Sequence, residues 1–355
     1  MDNKMIRVAI THGDTNGVGY ELIFRTFEAQ EMFELCTPII YGSPKVASFH
    51  RNALQMQVPY TNIGNVPEAK DGRLNMLAAF PEEVKVELGT LTEQSDAAAL
   101  KALIKARDDY QQKAFDVLVT APTVEKQTTS PLPMLINEQL RIALATTGLP
   151  LKDVPKAITQ ELIEEKALLL HQTLRRDFRI SKPRIAILAL NPQPGDEEKQ
   201  LILPAIEKLQ EKKVNIFGPY AADSFFGEGK FDAFDAVLAL YDDQATAPFK
   251  TLDLGEGVSY AGGQELVQTS PLTGVGFSIA GKGMADENSL RHAIYLAIDI
   301  FRNRANYDEP LKNPLKKLYH EKRDDSEKVR FSIPKAKEPN EKKGEKAQNK
   351  PQEDE

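Results

Sequence analysis

The sequence predicts an α/β fold built on a mainly parallel sheet. Six short apolar runs recur along the chain, and each is continuous rather than alternating, which is typical of strands buried on both faces of a parallel sheet. Helix-like segments with apolar residues three and four apart lie between these runs. Strands that alternate with helices in this way define the α/β class. The six predicted strands are 6–11, 37–42, 115–122, 141–147, 184–190 and 235–241.

The same spacing predicts four principal helices. The first begins near Ser95, a candidate N-cap, and the last begins near Ser289, in the same role. Pro204 interrupts the third. The predicted helices are 95–114, 159–178, 197–214 and 289–305.

The end of the chain has a different composition. Residues 316–355 are rich in Lys, Glu, Pro and Asn, with almost nothing to bury. Such a segment cannot offset the entropy of its own ordering, so we expect a disordered, charged tail. A role as a partner-binding tail is the alternative.

Composition excludes several classes of function. The net charge of -7 argues against a nucleic-acid partner, because phosphate binding requires a basic surface. Cys36 is the single cysteine, so neither a disulfide framework nor a cysteine-rich zinc site is expected, and the residue itself predicts a small buried apolar group. The N-terminus is too polar for a signal peptide, and no apolar run approaches the ~20 residues that a bilayer demands. We therefore expect a cytoplasmic protein.

Candidate chemistry follows the apolar runs, because parallel sheets place ligands at the carboxyl ends of their strands. Asp242 and Asp243 come directly after the run 235–241, with Lys250 further on. A glycine-rich stretch, 11–21, is equally a candidate anion cradle and a plain tight turn. The loop Gly281, Lys282, Gly283 precedes the last helix and is a candidate phosphate contact. The five histidines include no pair with metal-ligand spacing.

Seven motifs occur in the order found in one enzyme family. The chain resembles the 4-hydroxythreonine-4-phosphate dehydrogenase family of pyridoxal phosphate biosynthesis over residues 5–305. The motifs are ITHGDTNGVGYEL, VLVTAP, LRIALATTGLPL, LNPQPGD, GPYAADSFF, DAVLALYDDQATAPFK and QTSPLTGVGFSIAGKGMAD.

The resemblance implies a fold, a reaction and an assembly. Two α/β/α domains similar to those of the isocitrate and isopropylmalate dehydrogenases are expected, the first formed by residues 1–125 with 286–315 and the second by 126–285. The family is a homodimer with sites at the subunit interface. It oxidises a hydroxyl beta to a carboxylate with NAD, and the product loses carbon dioxide. A divalent metal held by three histidines polarises the reacting oxygen.

This chain departs from the family at the three metal-ligand positions. The positions of the three histidines are occupied by Gly148, Gln193 and Asp242. Glycine supplies no ligand, an amide oxygen is a weak one, and one aspartate does not hold zinc alone. Asp243 and Lys250 are retained at family positions and are the remaining catalytic candidates. A rebuilt Mg²⁺ or Mn²⁺ site formed by Asp242, Asp243 and Asp196 is the alternative.

The substrate positions have changed as well. Ser259 replaces an asparagine, Gln268 replaces an arginine, and the family's H-G-T-A motif is Thr-Gly-Val-Gly at 273–276. The segment that carries the family's G-H-T-E motif is absent. A tight anion site favours arginine or a cluster of donors, and Lys250 is the main one left.

Two hypotheses follow for function. The first is a divergent family member whose metal and substrate site is degraded, which binds a small phosphorylated ligand and forms a homodimer or pairs with an active paralogue. The second is a dehydrogenase that uses relocated carboxylates at Asp242 and Asp243. NAD would contact the loop Gly281, Lys282, Gly283 in either case, and a divalent metal is not expected in the first.

Overall fold

The computed structural model describes residues 5–81, 83–124 and 130–313, and their core is one twelve-stranded sheet. Its strands run in the order β3-β4-β2-β1-β5-β12-β11-β6-β7-β10-β8-β9. The strands are β1 Ile6–Thr11, β2 Cys36–Gly42, β3 Tyr60–Ile63, β4 Leu74–Ala78, β5 Val117–Thr120, β6 Leu132–Ile136, β7 Arg141–Leu144, β8 Arg184–Leu188, β9 Asn215–Tyr220, β10 Ala236–Ala239, β11 Val258–Gly262 and β12 Gln268–Pro271.

Both ends of the sheet are parallel, and its centre is antiparallel. Strands β3, β4, β2, β1, β5 and β12 pair in parallel, as do β7, β10, β8 and β9. The pairs β12–β11, β11–β6 and β6–β7 are antiparallel. The predicted α/β class with a mainly parallel sheet is therefore confirmed.

Helices cover the sheet and connect its strands. Among the described residues no helix has the length and apolar character needed to cross a membrane. The helices are α1 Gly19–Thr26, α2 Met32–Leu35, α3 Pro44–Ala53, α4 Glu93–Gln111, α5 Val154–Ala157, α6 Gln160–Arg176, α7 Leu203–Glu211, α8 Ala222–Gly227, α9 Asp242–Leu252 and α10 Asn288–Lys312.

Continuous apolar runs form because both faces of the sheet are covered. Ile185 and Ile187 of β8 belong to one apolar cluster, whereas Ala186 and Leu188 belong to another. Successive side chains of a strand point to opposite faces, so a strand buried on both sides has no polar face. All six predicted strands are present, and burial on both faces explains why their apolar runs are continuous.

Two predicted helix starts are wrong. Helix α4 is capped by Thr92, whose Oγ1 accepts from the Ser95 N–H at 3.1 Å, while Ser95 Oγ accepts from the Thr92 N–H at 3.2 Å. Ser95 thus completes a capping box from inside the first turn. Ser289 also lies inside its helix, and its hydroxyl donates to the Gly257 carbonyl at 2.7 Å.

Two predictions about the organisation of the chain stay predictions. The division into domains 1–125 with 286–315 and 126–285 is one of them, and a single sheet runs through both ranges. The disordered tail, 316–355, lies outside the described residues.

Candidate functional site

A cavity of about 310 Å³ lies beside the antiparallel centre of the sheet. Strand β5, the four central strands β12, β11, β6 and β7, and helix α9 supply its walls. Hydroxyl and apolar side chains dominate the lining. The lining residues used below are Thr147, Asp242, Thr246, Lys250, Ser259 and Gln268.

Three adjacent strands bring the predicted metal positions to one edge of the sheet. β10 pairs in parallel with β7 on one side and β8 on the other. Gly148, Asp242 and Gln193 follow β7, β10 and β8, respectively. Because the carboxyl ends of parallel strands lie at the same edge, the sequence order places all three there.

The side chains at these positions do not make a metal site. Asp242 Oδ2 accepts a hydrogen bond of 2.6 Å from the Gly148 backbone N–H. Gln193 is exposed on the loop after β8 and does not line the cavity. The described residues contain no group of three or more His, Cys, Asp or Glu side chains placed to hold a metal ion. A catalytic zinc needs three protein ligands, so this donor set does not fit the metal.

Helix α9 presents one polar face to the cavity. Asp242, Thr246 and Lys250 are spaced four residues apart and all line it. Asp243 is next to Asp242 in sequence but lines a different, shallower cavity with Asp223 and Tyr241. Consecutive residues of a helix are about 100° apart, so the two carboxylates of the YDDQ motif face different directions. Asp242 and Lys250 therefore line the same cavity, and Asp243 does not.

The two replaced substrate positions line the same cavity. Ser259 lies on β11 and is partly exposed, whereas Gln268 lies on β12 and is buried, with 3% of its surface exposed. Both side chains are uncharged, and their role as substrate contacts stays a prediction. Lys250 is the one cationic side chain among the described lining residues.

The loop after β8 is fixed by a residue that the sequence analysis did not single out. The Glu198 carboxylate accepts from the backbone N–H groups of Asn191, at 2.9 Å, and Gly195, at 2.7 Å. Burial alone would raise the pKa of Glu198, but these hydrogen bonds outweigh it and lower the pKa. Glu198 thus holds the loop that carries Gln193.

The candidate anion loop, 11–21, is an internal packing element. Every residue from Thr11 to Gly19 is buried. The Asp14 carboxylate accepts from the Asn16 N–H at 2.8 Å and from Ser95 Oγ at 3.1 Å. Gly13 has φ +73°, and a Cβ there would come within 2.5 Å of the Pro122 carbonyl oxygen. These contacts give Gly13, Asp14 and Asn16 a packing role, and anion binding by this loop stays a prediction.

The predicted cofactor loop lies outside the cavity. Gly281, Lys282 and Gly283 do not line it, and Lys282 is exposed. The Gly283 carbonyl accepts from the Arg25 guanidinium. Gly281 has φ +74°, and a Cβ there would come within 2.5 Å of Leu88 Cδ1. The glycines therefore serve a tight turn that packs on neighbouring loops.

A buried ion pair lies behind one wall of the cavity. Tyr260 of β11 lines the cavity, and its hydroxyl donates to Asp177 Oδ2 at 2.5 Å. Arg304 donates to the same carboxylate from Nε at 2.6 Å and to the Tyr260 hydroxyl from Nη2 at 2.9 Å. Burial, reinforced by the Asp177 charge, raises the pKa of Tyr260. No motif pointed to this triad, because its members are far apart in sequence.

The fold and the cavity define an α/β protein with a cleft of the size that small-molecule sites have. The sequence model of the family described as "Pyridoxal phosphate biosynthetic protein PdxA" matches residues 34–130 and 123–297. A 4-hydroxythreonine-4-phosphate dehydrogenase from Bacteroides thetaiotaomicron is 44% identical over 93% of this chain and 98% of its own. One from Neisseria meningitidis serogroup B is 32% identical over 83% of this chain and 97% of its own.

Solved structures agree with this assignment. A 4-hydroxythreonine-4-phosphate dehydrogenase from Burkholderia phymatum superposes with a TM-score of 0.66 at 27% identity, covering 84% of this chain and 99% of its own. A putative 4-hydroxythreonine-4-phosphate dehydrogenase from Salmonella typhimurium superposes with a TM-score of 0.71 at 24% identity, covering 84% of this chain and 100% of its own. At that identity the likeness shows the fold alone. The chain belongs to the 4-hydroxythreonine-4-phosphate dehydrogenase family, and the predicted family resemblance is confirmed.

Proposed function

We propose that this chain is a divergent family member whose cleft binds a small phosphorylated or carboxylated ligand but does not carry out metal-dependent oxidation with NAD. The observation that carries the proposal is the contact between Gly148 and Asp242. It joins two of the positions where family members place metal ligands, and one of the two has no side chain.

The chemistry of these residues supports the proposal. A metal that acts as a Lewis acid lowers a reaction barrier by several kcal/mol, and each ~1.4 kcal/mol is tenfold in rate. One carboxylate held by a backbone N–H does not replace three imidazoles, because zinc needs several ligands at once. Lys250 keeps one cation in the cavity for an anionic ligand.

The alternative is an active dehydrogenase with a relocated carboxylate metal site at Asp242 and Asp243. It has less support, since these two side chains line different cavities. Asp196 is exposed on the loop after β8, and no described acidic side chains cluster with it in a metal-binding arrangement.

Metal binding tests the proposal directly. Purified full-length chain, dialysed against Zn²⁺, Mg²⁺ or Mn²⁺ in turn, is expected to retain far less than one ion per chain. The Bacteroides thetaiotaomicron relative, treated identically, serves as the comparison. One tightly held ion per chain, lost on Asp242→Asn substitution, would overturn the proposal and favour the carboxylate site.

Assembly and cofactor binding follow from family membership as further proposals. We propose a homodimer, with pairing to an active paralogue as the alternative, and light scattering on the purified chain distinguishes a dimer from a monomer. NAD binding is proposed at the Gly281, Lys282, Gly283 loop, and titration with NAD against a Lys282→Ala variant measures it.

A further inference from the structure

We propose that a second cavity, the α6–α10 cavity, binds a small anion, a carboxylate or a phosphate monoester, at the Arg175 guanidinium. This cavity has a volume of about 520 Å³ and lies between the C-terminal half of α6, the β11–β12 turn and α10. Its charged lining residues in the described part of the chain are Arg175, Arg176, Asp177, Glu265 and Arg304.

The α6–α10 cavity is separate from the cleft beside α9. The two share no lining residue among those that the structure describes. Its volume falls within the range of about 300–1,000 Å³ that is typical of small-molecule sites. Binding in the α6–α10 cavity is therefore independent of the proposed function of the cleft.

Two of the three arginines in the lining already have acidic partners. Arg304 pairs with Asp177 at 2.6 Å, and Arg176 pairs with two carboxylates, at 2.7 and 3.3 Å. Arg175 is exposed on the same lining and forms no ion pair or hydrogen bond with any residue in the described ranges. A guanidinium presents its N–H donors as a planar fork that matches the oxygens of a carboxylate or phosphate. Arg175 is therefore the position for the anionic group.

The two carboxylates of the lining are already neutralised. Asp177 accepts from Arg304 Nε at 2.6 Å and Nη2 at 3.1 Å. Glu265 accepts from both terminal nitrogens of Arg176, at 3.3 Å each. Because each carboxylate has its own cation, neither competes for Arg175, and their repulsion of a bound anion is reduced.

A buried amide is a second, independent indication of a ligand. Gln264 lines the cavity, and its Nε2 atom is buried without a hydrogen-bond partner among the described residues. An amide nitrogen only donates, and a buried donor without an acceptor is unfavourable. The terminal torsion of a glutamine is soft, so the amide can turn towards an oxygen of the ligand. The lining thus offers a charged donor and a neutral one.

The apolar part of the lining limits the rest of the ligand to a short body. Leu169 and Tyr307 line the cavity beside the polar groups. The β11–β12 turn approaches α6 closely at Gly263, where a Cβ would come within 2.6 Å of Leu169 Cδ2. A short alkyl chain attached to the anionic group matches this lining.

Matched probes test the proposal on the full-length chain. Ligand-detected NMR titrations compare butyrate with butyramide, which has the same shape without the charge, and include propyl phosphate as the second anion. One exposed ion pair contributes about fivefold in affinity, so both anions are expected to bind about fivefold more tightly than butyramide. Equal binding of butyrate and butyramide, or no binding of either anion, would overturn the proposal.

The cation of the cleft is removed to separate the two sites. The same titrations on Lys250→Met are expected to show the same preference for butyrate over butyramide. Loss of the preference in Lys250→Met would place anion binding in the cleft and overturn the proposal.

Two further variants, each made in the Lys250→Met chain, locate the anionic group. Arg175→Met keeps an apolar stem and is expected to abolish the preference for butyrate over butyramide. Arg302→Met makes the same change on α10, where Arg302 is exposed and lies about 200° around the helix from Arg304. It is expected to keep the preference. Equal loss in the two variants would contradict the assignment.

Labelling of the wild-type chain decides the assignment even if a variant fails to fold. Phenylglyoxal modifies guanidinium groups, and peptide mapping by mass spectrometry gives the rate at each arginine. At about ten times its Kd, propyl phosphate is expected to slow the modification of Arg175 by about tenfold and to leave Arg302 unchanged. An unchanged rate at Arg175 would overturn the proposal.

Discussion

The Gly148 backbone N–H donates a 2.6 Å hydrogen bond to the Asp242 carboxylate across the ends of two parallel strands. The pairing of strands β7 and β10 brings Gly148 close to Asp242. Shortly before these two residues, the Ala145 N–H donates to the Ala239 carbonyl at 2.8 Å. A hydrogen bond to a charged group contributes about 1.5–3 kcal/mol. The contact thus fixes Asp242 at one of the positions where the resemblance implies a metal-ligating histidine.

Gly148 is required by its backbone conformation rather than by crowding. Its φ is +69°, and nothing lies within 4 Å of a Cβ built there. Gly148→Ala is expected to lower the free energy of unfolding by about 1–2 kcal/mol, because a Cβ is disfavoured in the left-handed region. Urea denaturation measures this. Gly274 has equally open space without a positive φ, so Gly274→Ala should change stability by less than ~0.5 kcal/mol.

The Asp177–Arg304 ion pair is expected to dominate the electrostatic contribution to stability. The Arg304 and Asp177 side chains are 8% and 2% exposed. Arg304→Met leaves a buried carboxylate without its cation and should lower the free energy of unfolding by about 3–5 kcal/mol. Arg176 pairs with Asp308 and Glu265 nearer the surface. Arg176→Met should therefore lower the free energy of unfolding by less than ~1 kcal/mol. Equal losses in the two variants would contradict this account.

His12 is expected to make the fold sensitive to acid. It is buried, and desolvation first, then the nearby His50, lowers the pKa of His12 to about 4. The unfolded chain takes up this proton near pH 6.5, before the folded chain does. The contribution of His12 to the free energy of unfolding is therefore fully present above pH 6.5. It is lost as the pH drops towards 4, by roughly 3 kcal/mol in total.

Denaturation midpoints measured between pH 7 and 4 test this sign. His12→Phe keeps a ring to stack on Tyr20 and face Phe80, and should flatten the pH dependence over this range. Some dependence will persist, because burial also lowers the pKa of His50. An unchanged slope in His12→Phe would exclude His12 as its source.

The capping box at α4 links this helix to the buried loop 11–21. Thr92 Oγ1 accepts from the Ser95 N–H and also from Asn16 Nδ2 at 3.3 Å. Thr92→Ala should therefore lower the free energy of unfolding by about 1–2 kcal/mol, at the upper end for an N-cap. Thr251→Ala provides the control, because it removes an exposed hydroxyl that donates to the Ala247 carbonyl of its own helix. It should lower the free energy of unfolding by less than ~0.5 kcal/mol.

Strands buried on both faces were predictable, and less regular strands were not. Strand β10 is buried at every position, so its apolar residues are continuous. In β11 and β12 the residues Ser259, Gln268 and Ser270 interrupt the pattern, because they line the cavity. Strands β11 and β12 therefore gave a weak signal in the sequence.

The positions of the site residues were predictable only in part. The strand order places Gly148, Asp242 and Gln193 at one edge, as parallel topology requires. The different directions of Asp242 and Asp243 depend on where α9 begins, and their adjacency in sequence gives no sign of the difference. The Tyr260, Asp177 and Arg304 triad depends on contacts between distant elements, for which a single sequence carries no signal.

The most direct test of the account is NADH formation at 340 nm by the folded, full-length chain. The assay contains 4-phosphohydroxy-threonine and NAD, with Zn²⁺, Mg²⁺ or Mn²⁺ in separate wells, and the Bacteroides thetaiotaomicron relative as the comparison. We expect no signal above the control without enzyme, because the proposed function assigns no bound Lewis acid to the cleft. Turnover at about 1–1000 per second, the range of ordinary enzymes, would contradict the account and direct attention to substitute ligands beginning with Asp242.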